Sequence, residues 1–216
     1  MSVDGTIESF KGHRLAGWLD WLQMLTGLGL ALFLFAHMVF VGSVIFGAHA
    51  LDFVAELFEK TYLAQIGGPI LFLLFLLHGF LAARKMPFRT KEQKLILKHA
   101  KMMHHRDTWF WVVQATTGAL ILIIGSIHMW TVLSDLPITA VKAAQELKNG
   151  LWVLFYLILI FIAAFHACIG LYRIGVKWGV VTRATRAKAM KLVYYLIGIY
   201  VCVELINLIR FYFLKV

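Results

Sequence analysis

The sequence is poor in charge and in reactive cysteine. Of its 216 residues only 15% are charged and 61% are hydrophobic, with a mean hydropathy of +0.81. A soluble domain carries about 25% charged residues, so an integral membrane protein is expected. The two cysteines, Cys168 and Cys202, lie in apolar runs, outside any Cys-x-x-Cys or Cys-x-x-Cys-His pattern. They read as reduced packing residues and say nothing of compartment. Covalent c-type haem and cysteine-bound iron–sulfur clusters are thereby set aside. No Gly/Ser-rich linker or internal repeat divides the chain, so residues 1–216 read as one membrane domain. No phosphate-binding glycine loop follows a strand. Gly27-Leu28-Gly29 falls inside an apolar run and is no dinucleotide fingerprint. A signal peptide is not expected, because Asp4, Glu8, Lys11 and Arg14 precede an apolar stretch too long for an h-region.

What the chain has is long apolar runs. A spanning helix needs about 20 mostly apolar residues. Five segments qualify: about 21–46, 66–86, 108–133, 151–173 and 192–214. The second is short by strict count and is extended through Met86. The expected fold is all-α, an integral membrane bundle of five transmembrane helices. Lysine and arginine set its orientation. Residues 84–106 carry eight and 173–191 carry six, whereas 48–66 carry only Lys60 and 134–150 only Lys142 and Lys148. The N-terminus and both basic loops are therefore expected in the cytoplasm and the C-terminus outside. The net charge of +10 is then topological, and nucleic acid is not an expected partner. Residues 91–105 read as a basic helix lying on anionic lipid or as a docking surface for a cytoplasmic partner. In residues 50–60, Leu51, Val54, Leu57 and Phe58 give an apolar stripe along the outer surface.

Nine histidines are present. His13, His49, His99, His104 and His105 fall in predicted loops and read as solvated. His37, His78, His128 and His166 fall inside spans I to IV, one in each. Ionisable residues inside a membrane are costly and mark function. At a rise of about 1.5 Å per residue, His37 and His128 lie roughly 14 and 10 Å from the outer end. His166 and His78 lie roughly 10 and 9 Å from the inner end. The histidines thus sort into two levels, His37 with His128 and His78 with His166. Two imidazoles facing across a bundle can ligate a haem iron axially. A bare zinc or copper ion asks for three or four ligands at one level. Small residues flank the histidines: Gly79, Gly125, Ser126, Ala167 and Gly170. Gln23, Trp111, Arg173 and Lys177 lie near the inner edge, where propionates would need donors.

The stretches DWLQMLTG (20–27), AHMVFV (36–41), HGFLAARK (78–85), HRDTWFWVVQATTG (105–118), GSIHM (125–129) and FHACIGLYRIGVKWG (165–179) carry a family resemblance. The chain resembles the dihaem cytochrome b membrane subunit of menaquinol:fumarate reductases, in the succinate:quinone oxidoreductase superfamily. The resemblance implies a bacterial inner-membrane anchor with two haem b groups. His37 and His128 would hold the distal haem, and His78 and His166 the proximal one. It places propionate contacts at Gln23, Trp111 and Lys177, and a quinol-site glutamate at Glu59. It implies menaquinol as donor, with an iron–sulfur subunit and a flavoprotein subunit on the cytoplasmic side, the flavoprotein reducing fumarate. A dimer of such heterotrimers stays open. A carboxylate near the outer face can act as general base for quinol oxidation; the plain alternative for Glu59 is a solvated charge. One position departs from the family pattern: Ala164 stands where members carry a glutamate implicated in proton return. Glu204 in span V is the substitute considered, against a simple pairing with a neighbouring helix. Three readings stay open from sequence: the same architecture run as succinate:quinone reductase, a cytochrome b anchor of another dehydrogenase such as a hydrogenase, and a haem-free transporter.

Overall fold

The computed structural model describes the backbone of residues 3–215 and the side chains of residues 14–215. The side chains of Asp4, Glu8, Lys11 and His13 lie outside the described residues. The backbone at position 13, expected in a loop, is helical.

Among the described residues eight α-helices follow one another: α1 (Val3–Gly42), α2 (Ala48–Lys60), α3 (Gly68–Ala83), α4 (Thr90–Met103), α5 (Arg106–Ser134), α6 (Ala140–Leu147), α7 (Gly150–Lys177) and α8 (Arg186–Tyr212). No strand occurs among the described residues. Five helical stretches among the described residues are long and apolar enough to cross a membrane: Arg14–Phe46, Leu63–Ala83, Arg106–Ser134, Gly150–Lys177 and Arg186–Tyr212. Their outer surfaces are apolar and open, with Val39 71% and Phe80 75% exposed. Such side chains suit hydrocarbon and not water.

The second span gains its length at the end opposite to the one expected. A wide π-type turn, Leu63–Gly67, winds into α3, and α3 stops at Ala83, before Pro87. Proline lacks a backbone donor and cannot continue the helix.

Helices α1, α3, α5 and α7 form a ring, since α1 packs on α3, α3 on α5, α5 on α7 and α7 on α1. Helix α8 lies outside the ring against α7 and α1. The seam it covers is the main core, built from Ile160, Ala164, Cys168, Ile169 and Tyr172 of α7 with Val193, Ile197 and Tyr200 of α8. A second cluster closes the end away from the basic loops, where Val44, Leu51, Ala140, Leu147 and Phe211 meet.

Two aspartates tie the basic end. Asp20 of α1 accepts from Arg84 and Lys85 at 2.6 and 2.7 Å, with Lys177 at 3.5 Å. Asp107 of α5 accepts from the Tyr172 hydroxyl at 3.0 Å and pairs with Arg186 at 3.1 Å. Between α3 and α5, α4 lies as a basic surface helix whose Leu95, Leu97 and Met102 are exposed. His49, His99, His104 and His105 are exposed, the first two on helices and not in loops.

Candidate functional site

The ring of four helices encloses a cavity of about 1640 Å³. That exceeds the roughly 300–1,000 Å³ of a pocket for one small molecule. All four intramembrane histidines line it. His37 of α1 faces His128 of α5 with ring centroids 6.1 Å apart, and His78 of α3 faces His166 of α7 at 6.4 Å. The two levels therefore hold the pairs that helix rise indicates.

The spacing fits one metal between each pair. Two metal–nitrogen bonds of about 2 Å, plus about 1.2 Å from each nitrogen to its ring centre, place the centroids roughly 6 to 6.5 Å apart. Among the described residues no group of three or more His, Cys, Asp or Glu side chains converges. Two axial imidazoles with a macrocycle supplying the other ligands match this donor set; a bare zinc site does not.

Each histidine nearer the basic end is clamped from the neighbouring helix of the ring. Thr26 Oγ1 lies 3.1 Å from His78 Nδ1, and Thr117 Oγ1 lies 3.3 Å from His166 Nδ1. The Thr26 hydroxyl also lies 2.8 Å from the Leu22 carbonyl and Thr117 lies 2.7 Å from that of Val113. Each hydroxyl proton goes to its carbonyl, so each Nδ1–H donates to the threonine oxygen. His166 Nδ1 has a second acceptor in the Gln114 carbonyl at 3.1 Å. This arrangement keeps Nε2 as the nitrogen with a lone pair for a metal. A Cβ on Gly27 would stand 2.7 Å from His78 Cε1, and one on Gly118 would stand 2.8 Å from His166 Cε1. Glycine is required for the rings to sit where they do.

Sequence reasoning missed these four residues, and the signal was present. Gln23-x-x-Thr26-Gly27 and Gln114-x-x-Thr117-Gly118 are the same short pattern, each with its glycine ten residues before His37 or His128. No repeat was expected, yet α1 and α5 share this one. The small residues singled out beside the histidines do other work: side chains at Gly79, Gly125 and Gly170 would first meet Leu122, Phe75 and Gln114.

The remaining expected site residues separate. Gln23, Trp111, Arg173 and Lys177 all line the cavity. Gln23 Oε1 is buried with no hydrogen-bond partner among the described residues, as is Gln114 Oε1. Lys177 is already held by Asp20. Glu59 of α2 does not line the cavity, although Phe58, Leu63 and Ala64 do. Its Oε2 accepts from Gln65 Nε2 at 2.9 Å, and its Oε1 is buried without a partner among the described residues. Ala164 is fully buried in the α7–α8 core. Glu204 is 8% exposed, lines the cavity and accepts from Asn207 Nδ2 at 3.2 Å, a partner on its own helix.

Comparison with known proteins agrees with this architecture. The family model described as the succinate dehydrogenase/fumarate reductase transmembrane subunit matches residues 90–205. The chain is 34% identical over 189 residues to the fumarate reductase cytochrome b subunit of Wolinella succinogenes, covering 82% of this chain and 73% of that one. It is 34% identical over 190 residues to the fumarate reductase cytochrome b subunit of Helicobacter pylori strain 26695, covering 82% and 74%. Five apolar helices and this kinship together show that the chain belongs to the succinate dehydrogenase/fumarate reductase transmembrane subunits, multi-pass proteins of the bacterial inner membrane.

Proposed function

We propose that this chain is the membrane anchor and electron-transfer subunit of a menaquinol:fumarate reductase. His37 with His128 would hold one haem b and His78 with His166 the other. The observation that carries this is the pair of facing imidazoles at 6.1 and 6.4 Å in one cavity. When bound, two such haems supply one-electron carriers at two depths. The chain's own residues orient them: Thr26 and Thr117 fix the inner imidazoles, and Gln23, Trp111, Arg173 and Lys177 offer polar contacts at the basic end. Lys/Arg asymmetry supports a cytoplasmic position for that end. An iron–sulfur subunit and a flavoprotein subunit would dock there, and the flavoprotein would reduce fumarate.

Menaquinol would be oxidised near the opposite face. Glu59, on the surface helix at that end, would take a quinol proton as general base. The test is the purified complex, with its subunits identified. It should show a b-type α band on dithionite reduction and oxidise a naphthoquinol with fumarate. Glu59→Gln should lower quinol-driven turnover by about 10²-fold or more while a viologen dye still drives fumarate reduction. Undiminished quinol turnover would remove Glu59 from the proton transfer, and a complex without the α band would refute the haem assignment.

A further inference from the structure

Glu146 is a second carboxylate at the proposed quinol end, and unlike Glu59 it lines the cavity. It lies in the last turn of α6, a helix that packs on α7, α8 and α2. Its Oε2 accepts from the Tyr156 hydroxyl of α7 at 2.9 Å. Tyr156 in turn stands edge-on to His128, with ring centroids 5.6 Å apart and planes at 83°. Glu146, Tyr156, His37 and His128 all line the one cavity, which Glu59 does not.

From this placement we infer that Glu146 is a catalytic residue, accepting one of the two protons released when a quinol is oxidised beside the His37–His128 level. The inference rests on the proposed menaquinol chemistry. Oxidation of a quinol to a quinone breaks two O–H bonds and releases two electrons and two protons. The electrons leave to the one-electron carriers of the proposed function. One proton goes to Glu146 at the oxygen that Tyr156 does not occupy, and the other leaves the cavity toward Glu59, next to the cavity-lining Phe58.

The neighbouring groups suit a base. Asp135 and Lys142 line the same end of the cavity and form a 2.8 Å ion pair. Asp52 of α2 is engaged by the Ala140 amide at 2.7 Å, and Lys148 by the Tyr212 carbonyl at 2.7 Å. No cation pairs with Glu146 among the described residues. Burial pushes its carboxyl above the usual carboxylate range, the Tyr156 hydrogen bond opposes that, and Asp135 adds to it. A base needs a pKa raised toward the working pH.

The experiment uses the intact complex in membranes, with a borohydride-reduced naphthoquinol and, separately, a viologen dye as donors. Glu146→Gln should cut quinol-driven kcat at least about tenfold while KM stays within roughly threefold. Dye-driven fumarate reduction and both haem α bands should persist, and Glu146→Asp should recover part of the loss. Unchanged quinol turnover in Glu146→Gln would overturn the inference. So would loss of the α bands in both variants, which would make Glu146 a structural residue. A wild-type complex that oxidises no naphthoquinol would overturn the functional reading as well, and that failure shows before any variant is made.

Discussion

Gly118 is where a single atom decides the His78–His166 level. A Cβ there would stand 2.8 Å from His166 Cε1, closer than carbon atoms pack. The imidazole would have to turn, and its Nδ1 would leave Thr117 and the Gln114 carbonyl. Gly118→Ala should therefore remove the haem proposed for His78 and His166 and spare the one proposed for His37 and His128, read from the reduced α band of the purified complex. Retention of both haems would show that the ring can shift without loss of its metal. The histidines themselves are legible in sequence because imidazole is rare in hydrocarbon. Thr26, Gly27, Thr117 and Gly118 stand out only through their shared Gln-x-x-Thr-Gly pattern, since threonine and glycine are common in membrane helices. Only the neighbouring helix shows what they touch.

At the scale of elements, a carboxylate adds a tie between α2 and α6 to their apolar packing against the spans. Asp52 Oδ1 accepts the Ala140 amide at 2.7 Å, at the start of α6. The positive end of a helix favours that charge. Asp52→Ala should destabilise this junction by about 1 kcal/mol. Hydrogen exchange of the first α6 amides should accelerate by roughly fivefold, and unchanged exchange would show the bond to be idle. Helix α2 was legible from its apolar spacing, but its register was not. Leu51 and Ala55 are buried while Leu57 is 51% exposed. The small Ala55 lets α2 approach its neighbours, and Phe58 packs near Phe40 with centroids 5.1 Å apart. Helix α6 has eight residues, too few to show a period, and so gave no signal.

For the whole molecule, five spans and two histidine levels follow from run length and helix rise. Which helices adjoin does not, because neighbours in the ring are set by packing. The order α1, α3, α5, α7 puts each histidine opposite its partner across one cavity. The relation of Ala164 to Glu204 is likewise tertiary: α8 buries the first and brings the second to the cavity. The most direct measurement is a redox titration of the haems in the purified complex, with His37, His78, His128 and His166 each replaced by alanine. His37→Ala and His128→Ala should lose the same haem, and His78→Ala and His166→Ala the other. Loss of one and the same haem from His37→Ala and His78→Ala would contradict the pairing on which the functional reading stands.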